Sequence, residues 1–300
     1  MRTPGRSLIG TRPAGLLAGC LVLALLLSAC EPRSSYQYRW NLFFESVFQP
    51  SSLILGGAAL TVGIAVSSQV LGTLLGVFGA LGRLARFWPA RLLAGLYVWF
   101  FRGTPLLIQI AFIYFGLGVA GIYRWDRHPL FDIIPGAWLA GIVALALNEG
   151  AYMTEIVRAG ILSVDRGQME AAESLGMTYR QAMRRIVLPQ AARIIVPPLG
   201  NEFNNMLKNT SLLVVLGSVP ELYVVFSRLN GTLFAPFELF LAAAVWYLLL
   251  TTIWSFIQAW IERRLGRGYA ATPTGPGWRE RLWPGRGTPL EEDGPMAGRH

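Results

Sequence analysis

Cysteine, histidine, lysine and charge are all scarce in this 300-residue chain, and each scarcity removes a class of function. Two histidines (His128 and His300) and two cysteines cannot build a convincing metal cluster. Cys20 lies inside an apolar run and Cys30 at its end, which argues against a structural disulfide. Lys208 is the only lysine and stands between Leu207 and Asn209, so the Gly-Lys-Ser/Thr of a phosphate-cradling loop is missing. Any ATP used must be hydrolysed on another chain. Charged residues make up 14% of the chain, against roughly 25% in an average soluble domain. Hydrophobic residues reach 53%. That balance argues against both a soluble globular protein and a disordered one, and points to a membrane.

A span needs about 20 largely apolar residues to cross about 30 Å of hydrocarbon. Five stretches qualify: 53–81, 104–120 with 92–101 as a possible extension, 135–157, 191–216 and 237–261. In the first, Gln69 is the only strongly polar side chain. In the fourth, the adjacent prolines Pro197 and Pro198 predict a helix break. Most of the tryptophans fall near span ends, as interface anchors do, and Trp40, Phe43, Phe44 and Phe48 predict an interfacial helix within 31–52. The 16-residue apolar run 14–29 follows Arg2, Arg6 and Arg12 and ends in Leu27-Ser28-Ala29-Cys30. Residues 1–30 therefore read as a signal-like segment, either an uncleaved extra span or a lipoprotein-type leader.

Arginine placement sets the orientation. If the spans alternate, fourteen arginines fall on one side and five on the other, so the loop 159–190 and the tail after 261 are expected in the cytoplasm. The basic excess of +9 follows this topology and gives no nucleic-acid stripe. The tail 266–300, rich in Gly, Pro and Arg, is expected to be disordered.

The loop 159–190 carries the most information. Residues 168–175 read as a helix stopped by Gly176, and 179–187 as a second helix running up to Pro189. Together they form a compact knob in which Ala171 and Ala172 permit close approach by a partner, flanked by Glu170, Arg184 and Arg185. An amphipathic pair lying at the headgroups is the plainer reading of this composition. The spacing adds more: Glu170-Ala171-Ala172, Gly176 and Ile186-Val187-Leu188-Pro189 resemble the EAA loop of binding-protein-dependent ABC importer permeases. Further blocks resemble the polar amino-acid (histidine/glutamine-type) permeases of that family: Phe101-Arg102-Gly103-Thr104-Pro105-Leu106-Leu107-Ile108-Gln109, Asn148-Glu149-Gly150-Ala151-Tyr152, Glu155 to Gly160, Leu188 to Ala191, and Leu207 to Leu212. The resemblance covers about 53–265.

It implies an all-α polytopic bundle with a five-span core, N-terminus outside and C-terminus inside, plus the N-terminal extra segment. It implies a non-enzymatic transport subunit in the bacterial inner membrane, acting in a homo- or heterodimer of permease chains. It also implies two cytoplasmic ABC ATPases that bind the ATP and Mg, dock on the EAA loops and are coupled through Glu170, Ala171, Ala172, Gly176, Arg184 and Arg185, and an extracytoplasmic amino-acid-binding protein.

Polar side chains at membrane depth usually face a cavity or a partner. Asn148, Tyr152 and Glu155 share a helical face, and Asn201, Asn205 and Lys208 repeat the spacing. The two rows are expected to meet in the bundle. With Gln109, Glu149 and Glu202 they are the candidates for a substrate pathway, because a zwitterionic amino acid needs acceptors for its ammonium and donors for its carboxylate. The bland alternatives are interhelical hydrogen bonds for the amides and a simple ion pair of Glu155 with Arg158. A rival function is a stand-alone ion-coupled transporter or channel with Glu149, Glu155 and Lys208 as a relay. A membrane enzyme is disfavoured by the lack of a Ser–His or metal constellation.

Overall fold

The computed structural model describes residues 36–125 and 134–265. The signal-like segment, Cys30 and the tail expected to be disordered lie outside the described residues. Within them the elements are all helical: α1 Trp40–Phe48, α2 Ser52–Leu84, α3 Trp88–Gly103, α4 Leu106–Ala111, α5 Gly136–Leu162, α6 Arg166–Ser174, α7 Tyr179–Ala182, α8 Leu188–Asn209, α9 Leu222–Leu233 and α10 Pro236–Leu265. A π-helical turn, Phe112–Gly116, prolongs α4, and another, Met183–Val187, joins α7 to α8; a 3-10 segment, Thr210–Leu216, follows α8.

Two helices, α2 with 33 residues and α10 with 30, are long and apolar enough to cross a membrane. At 1.5 Å per residue they extend about 50 and about 45 Å. The expected second span is a broken one: α3 and the α4 segment together pass the same test, but are bent by 107° at Thr104-Pro105. The third and fourth spans correspond to α5 and α8, of 27 and 22 residues. Both are long enough, but their polar side chains keep them below the apolarity of α2 and α10.

α2 and α5 run side by side in the same direction and form the closest-packed pair in the bundle. Glycine makes this possible. A Cβ at Gly76 would lie 2.2 Å from Met153 Cβ, and one at Gly72 2.7 Å from Glu149 Cβ. Small residues at such a seam let two backbones approach where lipid offers no hydrophobic drive to associate. Around this pair, one apolar cluster joins Ile64, Ile110, Leu145, Phe203 and Leu213. A second joins Ile54, Leu222, Phe226 and Leu239, and Leu42, Phe43 and Val47 of α1 pack against it.

α1 thus has two apolar sides, with Trp40, Phe44 and Phe48 exposed on the outer one. The segment before it is fastened to the start of α10. The buried Glu238 accepts from the Arg39 amide at 2.6 Å and from the Tyr36 hydroxyl, and Trp246 Nε1 donates to the Ser46 carbonyl at 3.0 Å.

Two expectations need correction. Pro197 and Pro198 do not break the fourth span; α8 is continuous through both. Proline's fixed φ is compatible with an α-helix, and its cost there is the lost N–H together with crowding of its ring against the carbonyl four residues back. Across that stretch α10 adds donors to the backbone: Trp254 Nε1 reaches the Gly200 carbonyl at 2.8 Å and Gln258 Nε2 the Pro197 carbonyl at 3.4 Å. Trp246 and Trp254 of α10 thus both act as interhelical donors. The expected helix over 191–216 starts earlier, at Leu188, and changes to 3-10 geometry after Asn209 until Gly217, at φ +67°, ends it.

Candidate functional site

The knob between α5 and α8 is built by local capping. The Asp165 carboxylate caps α6 by accepting from the Gly167 amide at 2.6 Å. At the other end Gly176 adopts φ +80°, donating to the Glu173 carbonyl while Met177 donates to that of Ala172. That pair of bonds is the glycine C-cap that reverses a chain within two residues. Thr178 then opens α7 with a reciprocal capping box to Gln181. The reversal puts Ala172 and Ala182 inside the knob and leaves Glu170, Ala171, Gly176, Arg184 and Arg185 outside, beside the exposed Leu175 and Tyr179. Neighbouring residues on a helix point about 100° apart, so only Ala171 of the Ala-Ala pair is on the surface. The second helix does not stop at Pro189, which sits in the first turn of α8.

At the α3–α4 bend the end of a helix has a visible consequence. α3 stops at Gly103 with Thr104 extended, so the Phe101 carbonyl has no backbone donor four residues on. Two side-chain amides donate to it instead, Gln109 Nε2 at 2.8 Å and Asn148 Nδ2 at 3.0 Å. Gln109 Nε2 also reaches the Thr104 carbonyl at 3.0 Å, Asn148 Nδ2 also donates to Gln109 Oε1 at 3.0 Å, and the Thr104 hydroxyl donates to the Phe100 carbonyl at 2.9 Å. Gln109 and Asn148 are both buried.

The rest of the α5 row faces α2 and α3. Glu149, 4% exposed, accepts from Gln69 Nε2 of α2 at 2.9 Å. Tyr152 lies under the Arg102 guanidinium, 5.1 Å from ring centre to Cζ. Glu155 accepts from Arg158 at 2.7 and 2.9 Å and lies 3.4 Å from Arg83 Nε. Arg83, Arg102 and Arg158, from α2, α3 and α5, thus gather around one carboxylate at the knob end of the bundle.

The α8 row takes another direction. Asn201, Asn205 and Lys208 are exposed, with Asn201 Oδ1 accepting from Gln258 at 3.1 Å. Among the described residues no hydrogen bond joins this row to the α5 row, so the expected meeting of polar faces does not occur within one chain. Glu202, half-buried, is the member that turns back into electrostatic range of Glu149. Lys208 instead opens on a cavity of about 430 Å³ that it shares with Ser211, Tyr223, Phe240 and Tyr247. The wall is held by the fully buried Glu221, which caps α9 and accepts from the Tyr247 hydroxyl at 2.8 Å.

The family model for the inner membrane component of binding-protein-dependent transport systems matches residues 72–267. The chain belongs to that family. It is 36% identical to the arginine transport system permease protein of Corynebacterium glutamicum over 279 residues, 91% of this chain and 84% of that one. That alignment takes in more of the chain than the 53–265 region where the resemblance was read. It is 39% identical to the probable glutamine ABC transporter permease protein of Bacillus subtilis over 223 residues, 74% of this chain and 98% of the relative. Among solved structures, an amino acid ABC transporter with histidines is similar at 38% identity and a TM-score of 0.65, covering 74% of this chain and 98% of that one. The inward-facing MetNI methionine transporter shares the fold, at 19% identity and a TM-score of 0.57. This membrane-embedded chain is a transport component whose relatives are permease subunits.

Several residues of this permease's polar interior carried no mark in the sequence. Tyr97, whose hydroxyl donates to the Leu147 carbonyl at 2.6 Å, and Tyr223 and Tyr247 sit in apolar runs where an aromatic residue is the default. Pro105 was readable, since the residue before a proline is pushed out of helical geometry.

Proposed function

We propose that this chain is the permease subunit of an ATP-driven ABC importer for polar amino acids, set in the bacterial cytoplasmic membrane with the knob and the C-terminus inside. The observation that carries the reading is the knob: a capped, rigid double helix on a family member of known transport type, with Glu170, Ala171 and Gly176 turned outward. Two ATPase subunits holding ATP and Mg dock on this surface and on that of a second permease chain, identical or related. Arg184 and Arg185 flank the contact. Closure of the ATPases moves the knob, and rigid bundles rock between inward- and outward-facing states. An extracytoplasmic binding protein delivers the substrate. The Lys208 cavity supplies an ammonium suited to an amino acid's carboxylate, with the Tyr223 hydroxyl on the same wall, while Asn201, Glu202 and Asn205 line the same helix. Glu149, Tyr152 and Glu155 sit behind this pathway and hold its wall.

The test is reconstitution. The permease, co-purified with its ATPase and placed in proteoliposomes with the binding protein, is expected to accumulate a radiolabelled polar amino acid only when ATP is enclosed. Uptake that survives without ATP and is abolished by an uncoupler would overturn this reading in favour of an ion relay.

A further inference from the structure

The last carbonyls of a helix are normally satisfied locally or by water. Here one of the two donors to the Phe101 carbonyl comes from a different span. Phe101 and Thr104 belong to the bend, Gln109 to the helix beyond it, and Asn148 to α5. Asn148 Nδ2 is bonded both to the Phe101 carbonyl and to Gln109 Oε1. Gln109 and Asn148 are buried, and an unpaired polar group there has no water to turn to. Tyr97 adds a second tie from α3 to α5 at the Leu147 carbonyl, one residue from Asn148. The connection has a direction as well. α5 continues without a break from Asn148 to Leu162 and enters the knob at Asp165, so Asn148 sits about 21 Å up a rigid rod from the coupling end. On the far side of the bend, Ile110 and Ile113 pack into the core with Ala137, Ala140 and Leu145.

We propose that Gln109 and Asn148 are positioning residues that clamp the α3–α4 bend to α5, so that a displacement of the knob is delivered through α5 to the half of the bundle beyond the bend. Neither side chain needs to touch the substrate for this. The amide pair satisfies a carbonyl left open at the end of α3, and its geometry keeps the bend angle fixed while the two helices move as one body. This rests on the importer reading above; failure of that reading would appear separately, as absence of ATP-dependent uptake by the unaltered complex.

The test uses the assembled permease–ATPase complex in proteoliposomes. Asn148→Leu keeps the volume but removes the donor. Uptake per ATP hydrolysed is expected to fall about tenfold, within the range of ordinary coupling energies, with the apparent KM for the amino acid unchanged. Wild-type stoichiometry in Asn148→Leu, or a raised KM in place of lost turnover, would each overturn the proposal. Should the variant fail to assemble, a measurement that leaves Gln109 and Asn148 in place still decides. Spin labels at Trp99→Cys and Phe115→Cys, both exposed positions on either side of the bend, should keep the same separation with and without bound ATP. A nucleotide-dependent change in that separation would show that the bend is not clamped.

Discussion

Glu149 is a carboxyl group almost sealed from its surroundings, with Gln69 its hydrogen-bonding partner and Gly72 pressed against its stem. Removing one member of such a pair leaves the other buried and unmatched, at about 1–3 kcal/mol. Glu149→Leu should therefore lower the detergent unfolding temperature more than Glu149→Gln, which keeps an acceptor for the Gln69 amide. Equal losses in the two variants would show that the bond contributes nothing. Gly176 is a different case, because its constraint is backbone. At φ +80° any Cβ is strained by roughly 1–2 kcal/mol, so Gly176→Val should loosen the knob. Its effect is expected in reduced co-purification of the ATPase, with membrane insertion unaltered. Ala172→Asp should act more strongly, since Ala172 is inside the knob and a carboxylate there must be buried or force the two short helices apart. Near-normal uptake by Ala172→Asp would count against the knob as the coupling element.

Among the elements, the α2–α5 seam has the least room. Gly76→Val places two methyl groups where Met153 already lies within 2.2 Å of a Cβ. Overpacking of that kind costs typically 1–3 kcal/mol in soluble cores, and here the expected readout is loss of folded permease from a detergent extract. Gly63, open on all sides, is the control: Gly63→Val should extract normally. The seam also explains what the sequence could and could not convey. α2 and α10 were legible as spans because their apolar character is uninterrupted, and the knob because Gly176 and Thr178 are local signals whose meaning depends on neighbouring residues alone. The direction of each polar row was not legible. Helical spacing puts Asn148, Tyr152 and Glu155 on one side of α5, but which neighbour that side meets is set by where α3 bends, and so by Pro105. The continuity of α8 through Pro197-Pro198 was not legible either, and the α10 side chains that bond its backbone there, Trp254 and Gln258, lie more than fifty residues away. The Lys208 cavity needed both: the lone lysine was conspicuous, whereas Tyr223 and Tyr247 become polar partners only once α9 and α10 fold back.

For the molecule as a whole, orientation is the property on which the function depends. A cysteine placed at Leu175, on the exposed edge of the knob, should react with a membrane-impermeant reagent only in inside-out vesicles. One placed at Phe234, the exposed residue at φ +50° between α9 and α10, should react only in right-side-out vesicles. The opposite pattern would invert the importer. The fastening of Tyr36 and Arg39 to Glu238 bears on how the molecule is made. Its partners are separated by about 200 positions in the chain, so α1 must wait for α10 before it can dock. At roughly 5–20 residues per second that is an interval of about 10–40 s, during which the inner side of α1, with Leu42, Phe43 and Val47, lacks the α10 residues it packs against. The newborn chain spends that time with α1 in the care of lipid or of the insertion machinery, and the closing of that one contact joins the two ends of the described bundle.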